Sequence, residues 1–347
     1  MAEFVLLHLH TEFSLLDGAC RIEELLDEAV RLKMPALAVT EHGNMFSSVA
    51  FHDHARDRGI KPILGCEVYV APRSRFDKTG SQTETNHLVL LAENQEGYRN
   101  LTKLVSAGYT EGFYYRPRID KDLLAEHSKG LIGLSSCLKG EVASALKIEQ
   151  HKPALEAAAR LRDILGPNNF FLEMQYQGLE EQKIVNRGIL PLAKNLNLDL
   201  VCTNDVHYLR QGDHQPHDIL LCIGTGKKVN DEGRLRYTGD QFFLKTANQM
   251  AEVFNETPEA LRNTLLIAER CNVTIPKGES HLPNFEVPDG SDLDEYFEKV
   301  ATEGFQKRLL KLRKLASDGH LRHSIEEYEK RLMYEIEMIK RMGYPGY

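Results

Sequence analysis

A chain of 347 residues with 42% hydrophobic side chains is long enough to bury one large core or two ordinary ones. Its formal net charge of −8 argues against broad, charge-driven binding to nucleic acid, which calls for a basic face, yet leaves room for a phosphate substrate neutralised locally by bound cations. No apolar run approaches the roughly 20 residues of a membrane span, the start lacks a signal peptide's features, and the six cysteines form no CxxC pair, so a soluble, cytoplasmic protein with reduced thiols and no membrane partner is expected.

Residues 6–12 carry His8 and His10 at i and i+2 within an apolar run. A buried strand would deliver both imidazoles to one side, and two neutral imidazoles converging on a point suggest a metal. Residues 21–33 read as an amphipathic helix with Ile22, Leu25, Leu26, Ala29 and Val30 on one face, 36–40 as a short buried strand, 46–58 as a helix and 61–70 as a third strand. Returns through helices imply parallel pairing. The alternation continues with a strand at 87–92, a helix at 94–107, an aromatic and basic loop at 112–118 (GFYYRPR), strands at 131–135, 170–175 and 200–203, and helices at 152–165 and 179–195. Seven repeats, with no Gly-rich phosphate turn after any strand, favour an α/β barrel over an open doubly wound sheet. Beyond about Asp213 the alternation fades into helices at 218–223, 246–254 and 258–271 and a short strand at 242–245. The Pro- and Gly-containing stretch 276–289 is the expected linker, ahead of two long charged helices at 292–316 and 324–342.

Groups able to bind metal sit at strand ends throughout: His8 and His10, His42, Glu67, His87, Cys137, then Asp205 with His207, and Asp17 in the first loop. In a parallel barrel the carboxyl ends of the strands meet around one mouth, so distant positions converge. Nine ligands exceed what one tetrahedral ion uses and suit two or three ions sharing a carboxylate. Glu67, inside an apolar strand, needs a cation or must neutralise itself. Taken alone, His87 reads as a core histidine and Cys137 as a small buried hydrophobe. His52 and His54, at i and i+2 on a helix, point apart. His214 and His217 fit surface or capping roles, and His127, His151, His281, His320 and His323 lie in polar segments without partners. Asp292 and Asp294 read as the acidic first turn of a helix.

Together, His8-Leu-His10-Thr, Thr40-Glu-His42-Gly-Asn, Gly65-Cys-Glu67, His87, Cys137 and Asn204-Asp205-Val-His207 resemble the motifs of the PHP (polymerase and histidinol phosphatase) superfamily. Longer stretches, LLHLHTEFSLLDGA, KPILGCEVYVAP, EGFYYRPRID, SSCLKGEV and TNDVHYL, resemble the amino-terminal domain of bacterial DNA polymerase III alpha subunits. The resemblance implies a distorted TIM-like (βα)7 barrel over residues 1–280. A mainly helical extension over 281–347 would be a linker and the truncated start of the polymerase palm, without the polymerase's catalytic carboxylates. By the same resemblance, His8, His10, Glu67 and Asp205 would hold one ion, Glu67 would bridge to a second held by His87 and Cys137, and Asp17, His42 and His207 would hold a third. Asp205, His207 and Glu67 would form the catalytic set. Glu41 departs from the family, which more often has Asp there, at a position that would support the ligands.

The activity implied is a metal-dependent 3′–5′ exonuclease that removes misincorporated nucleotides from a primer 3′ end. Two or three divalent ions, zinc first and manganese or iron next by ligand type, would lower the pKa of a water and neutralise charge on the phosphate. Arg116 and Arg118, with Tyr115 beside Phe113 and Tyr114, are candidates to clamp phosphates and stack a frayed base, their bland reading being an exposed basic loop. The implied partners are the DNA primer 3′ end, the remaining polymerase domains and, through the missing part, the sliding clamp and other replisome subunits. Two readings stand beside this one: a catalytically silent structural module that docks a separate proofreading subunit, and a phosphatase acting on a small phosphomonoester.

Overall fold

The computed structural model describes residues 3–79, 84–166, 168–278 and 284–347 and divides the chain into two units, Met1–Ile275 and Pro276–Tyr347. The boundary expected at residues 280 and 281, and with it His281, lies outside the described residues.

In the first unit, seven strands form one curled sheet: β1 (Ala36–His42), β2 (Lys61–Val70), β3 (Asn86–Ala92), β4 (Arg118–Ile119), β5 (Leu131–Leu134), β6 (Phe170–Gln175) and β7 (Leu200–Thr203). The order is β1-β2-β3-β5-β6-β7, with the short β4 alongside β2. Helices cover the outside. The helix Ile22–Arg31 buries Ile22, Leu25, Leu26 and Ala29, a stripe at helical spacing. Side chains on the opposite face of the strands, including Val5, Leu7, Ala38, Ile63, Val89, Ile132 and Val201, pack into a separate inner core. The helix Pro258–Arg270 supplies Ile267 and Ala268 to that core, and its Thr264 Oγ1 accepts a hydrogen bond from Val5 N at 3.0 Å. It therefore plugs the end where the parallel strands begin and leaves the other end for the polar residues.

Residues 6–12 depart from the expected regular strand. They form isolated parallel bridges, Leu6 with Leu37 of β1 and Leu9 with Val206 just after β7, and so run along the seam between the two edges of the sheet. Ala38 N donates to Leu6 O and Thr40 N donates to Leu9 O, so the first run carries one more residue than β1 between these two bonds. This bulge shifts the alternation: Val5 and Leu7 face the inner core, Leu6 and Leu9 the outer one, and His8 and His10 both turn inward.

The expectation of parallel pairing fails at β3, which runs antiparallel to both β2 and β5. Among the described residues no helix separates β2 from β3, and a parallel return needs a crossover. The reversal has a consequence for the mouth. His87, at the start of β3, pairs with Tyr69 near the end of β2, so it lies at the same end as the parallel strands' carboxyl termini. The short strand expected at 242–245 is reduced to a single bridge, Phe243 with Tyr208.

In the second unit, Asp292 caps the helix Leu293–Ser317 by accepting from Asp294 N and Glu295 N, as the acidic first turn implied. Ser324 and Glu327 form a capping box on the helix Ile325–Arg341, and Lys340 Nζ pairs with Glu298 at 2.8 Å. No described helix is long and apolar enough to cross a membrane.

Gly18 closes the loop that carries Asp17, and a Cβ added there would stand 2.1 Å from Thr11 O. Gly18→Ala is expected to cost about 1–3 kcal/mol in denaturant unfolding, whereas Gly212→Ala, which meets nothing within 4 Å, should stay within about 0.5 kcal/mol.

Candidate metal centre

The seam, β1, β2, the start of β3 and the segments after β5 and β7 bring all nine expected ligands to one place. Glu67, buried within β2, lies at the centre. Its Oε1 is 3.4 Å from His8 Nε2 and 2.9 Å from His87 Nδ1, and its Oε2 is 2.7 Å from His42 Nδ1 and 3.8 Å from His10 Nε2. Asp205 Oδ1 lies 3.2 Å from both His8 Nε2 and His10 Nε2. Asp17 Oδ2 is 3.0 Å from His42 Nε2, and Asp17 Oδ1 is 3.9 Å from His207 Nε2. Cys137 Sγ completes the ring, 3.7 Å from His87 Nδ1 and 3.8 Å from Glu67 Oε1. Three overlapping triads, His8-His10-Glu67, His42-Glu67-His87 and His10-His42-His207, have ligand atoms within 4.8 Å of one another, the spacing of groups that share ions.

Six atoms here are buried without a hydrogen bond: His8 Nε2, His10 Nε2, both ring nitrogens of His42, Glu67 Oε2 and Asp205 Oδ1. They stand 2.7–3.8 Å from one another or from Asp17 and Glu67 Oε1 without aligning for a hydrogen bond, an arrangement that an ion between them would satisfy. All six belong to the expected ligand set and face one another, so the donor set fits divalent cations: imidazoles, carboxylates and one thiol.

The electrostatics agree. Burial opposes a charge on His42, yet Asp17 and Glu67 outweigh it and raise its pKa to about 10. His8 is likewise raised against burial, by Glu173 and Asp205. His10, buried beside His42 and His207, is held neutral, its pKa far below the ordinary value. Burial resists ionisation of Glu67 and Asp205, but the surrounding histidines bring both carboxyls below their usual range. Without a cation the carboxylates draw protons onto His8 and His42, and an ion would displace those protons. Burial, with Glu67 beside it, pushes the Cys137 thiol up, so only a cation in contact would make it a thiolate.

Supporting groups fix the ligands. Glu173 accepts from His8 at Nδ1, 2.7 Å away, leaving Nε2 turned to the centre, and is itself held by Ser136 N, Gln175 Nε2 and Thr203 Oγ1. Glu41 accepts from Ser14 Oγ, which lies 3.2 Å from His10 Nδ1, so the residue that departs from the family pattern does buttress a ligand. Asp205 and Ser136, both beside or within the ligand set, adopt left-handed backbone with φ of 47° and 67°. Lys245 Nζ donates to Asn204 Oδ1 at 2.9 Å and steadies that turn. Glu173 was legible by the argument used for Glu67, a lone carboxylate in an apolar strand. Tyr237 was not: it lies in a stretch without periodicity, yet its phenol is 2.8 Å from His207 Nε2. Burial, with Asp17 next, keeps that phenol protonated.

The cleft over the ligands has a volume of about 250 Å³ and is lined also by Arg116, whose guanidinium donates to Tyr69 Oη at 2.7 Å. Arg118 differs from the expectation. It is fully buried, with its guanidinium bound to the carbonyls of Gly112, Arg75 and Asp77, so it braces the loop and cannot reach a phosphate. Tyr115 stands 75% exposed, outside the cleft lining. Of the two histidines expected in surface or capping roles, His214 lies against Gln211 O at 2.9 Å, and His217 is buried and donates from Nε2 to Asp17 O at 2.8 Å.

Residues 7–177 match the PHP domain. This stretch is a PHP domain. Over its length it is 43% identical to a DNA polymerase III subunit alpha of Treponema pallidum, covering 99% of this chain and 29% of that protein. It is 40% identical to the subunit of the same name from Mycobacterium tuberculosis, covering 100% and 30%. The chain therefore spans about 30% of the length of these curated relatives. Among solved structures, a putative metal-dependent phosphoesterase from Bifidobacterium adolescentis aligns with 60% of the chain and 88% of its own, at 14% identity and a TM-score of 0.38.

Glu173→Gln should weaken the first zinc bound by about 10–100-fold in a titration against a competing chelating dye, because His8 loses its charged support.

Proposed function

We propose that this PHP domain is a metal-dependent phosphodiesterase that acts as a 3′–5′ exonuclease at a DNA primer end, within the alpha subunit of a replicative polymerase. The observation that carries the reading is the complete ligand ring around Glu67, with six buried ligand atoms that have no hydrogen bond. The relatives' name supplies the polymerase context, and the remaining polymerase domains are the proposed covalent partners.

His8, His10, Glu67 and Asp205 would hold one ion, Glu67, His87 and Cys137 a second, and Asp17, His42 and His207 a third. Zinc is the first choice for this mixed nitrogen, oxygen and sulphur set. Bound there, divalent ions supply Lewis-acid polarisation of the phosphoryl oxygen and activation of a water. The chain's own residues do the rest. Glu173 and Glu41 keep the imidazoles of His8 and His10 in the tautomer that faces the centre. Arg116, at the lip of the cleft, pairs with the phosphate and holds it over the ligands. Phe46, Tyr109 and Phe113 form an exposed series with ring centroids 6.3 and 6.2 Å apart on the elements that flank this lip, a surface suited to unpaired bases.

One observation favours a smaller substrate: the cleft volume of about 250 Å³ lies at or below the range of small-ligand pockets. The same experiment separates the readings. Purified chain loaded with zinc or manganese is expected to shorten a 3′-mismatched primer on a gel, and to stop when a chelator is added. Turnover of a chromogenic monoester with no action on DNA would replace the exonuclease by a phosphomonoesterase. Metal-dependent stability with neither activity would leave the structural module. Asp205→Asn should lower the rate at least 100-fold, as loss of a charged ion ligand does, while the circular dichroism spectrum is retained.

A further inference from the structure

Two cavities meet at residues 236 and 237. The metal cleft is lined on one side by Asp17, His207 and Tyr237, and a second cavity of about 650 Å³, lined by Tyr208, His217 and Asp218, has Arg236 and Tyr237 as its near wall. Tyr237 belongs to residues 226–242, a stretch with neither helix nor strand, so its backbone is not held in a ladder.

The phenol occupies a particular place. His207 Nδ1 lies 2.8 Å from the carbonyl of Asp205, which can only accept, so the ring proton sits on Nδ1 and the lone pair on Nε2. Tyr237 Oη donates to that lone pair at 2.8 Å and stands 3.4 Å from Asp17 Oδ1. His207 Nε2 is the ring atom that an ion held by Asp17, His42 and His207 would take, and Asp17 Oδ1 is the carboxylate oxygen on the His207 side, Oδ2 facing His42. His8, His10 and Asp205 have no such competitor, since their facing atoms lack a hydrogen bond. The ring rests edge-on against His217 and Phe242, with centroids 5.0 and 4.8 Å away, and beyond it lies the larger cavity.

We propose that Tyr237 is a displaceable latch on the metal centre: its phenol holds the His207 and Asp17 pair while no ion does, and an ion taking that pair turns the phenol toward the second cavity and joins the two cavities into one cleft. This rests on the metal-centre reading above. It makes the ion at Asp17, His42 and His207 the one held least tightly, and it makes the longer cleft, with Arg236 along its wall, available only to the fully loaded protein.

The test uses two measurements on the whole chain. Tyrosine nitration by tetranitromethane, mapped by mass spectrometry, is expected to leave Tyr237 protected in chelator-stripped protein and to modify it at saturating zinc. Zinc titration by calorimetry is expected to show the weakest site tightened about fivefold in Tyr237→Phe, because one competing hydrogen bond is gone, with the other sites unchanged. Equal protection of Tyr237 in both forms, or a variant whose weakest site is unchanged or weaker, overturns the latch. Full zinc stoichiometry with an unresponsive Tyr237 removes the latch alone, and absence of zinc binding removes the metal centre with it. The nitration measurement needs no variant and stands if Tyr237→Phe folds poorly.

Discussion

A carboxylate buried in the middle of a strand is the constraint around which this molecule is arranged. Glu67 is 1% exposed, and the inner face of β2 offers it only apolar neighbours on the side toward the plugging helix. A negative charge there survives only if positive or donor groups arrive from elsewhere in the fold. They do: the seam brings His8 and His10, the end of β1 brings His42, the start of β3 brings His87, and the segment after β5 brings the Ser136 hydroxyl at 2.6 Å. The barrel mouth is thus a set of strand ends whose reach is fixed by one charge. Its polarity and the apolar plug at the opposite end are two sides of the same division.

Candidate ligands can be picked out in the sequence because most of them stand at the ends of expected strands, although His87 opens its strand and, like Cys137, reads alone as a core residue. His8 with His10, and Asp205 with His207, advertise themselves as pairs. What escaped notice follows from physics that spacing does not encode. The reversed direction of β3 turns on a missing crossover helix. Had all strands been parallel, His87 at the start of its strand would have faced the wrong end of the barrel. Arg118 sits in a run of aromatic and basic residues that reads as surface, but three backbone carbonyls turned inward give a buried guanidinium its partners. Tyr237 comes from an irregular stretch, where only the folded chain shows what a side chain meets.

The supporting carboxylates deserve equal weight with the ligands. Glu41 and Glu173 stand on opposite flanks of the seam, one reaching His10 through Ser14 and the other His8 directly. Each is enclosed by hydroxyl and amide donors that satisfy its oxygens without a metal of its own. A ring nitrogen tied from behind presents its other nitrogen at a fixed angle, which removes the reorientation that a flexible ligand undergoes when it coordinates.

The seam gives the bulge at Leu7 and His8 a wider meaning. The stretch that holds the first and last strands together through so few backbone bonds is the same stretch that presents two imidazoles to the centre. A cation seated between His8, His10, Glu67 and Asp205 would therefore act as a rivet, joining the edges of the sheet across a joint that main-chain pairing leaves sparse. In such a barrel, loss of these ligands would loosen the joint between the edges of the sheet as well as empty the centre.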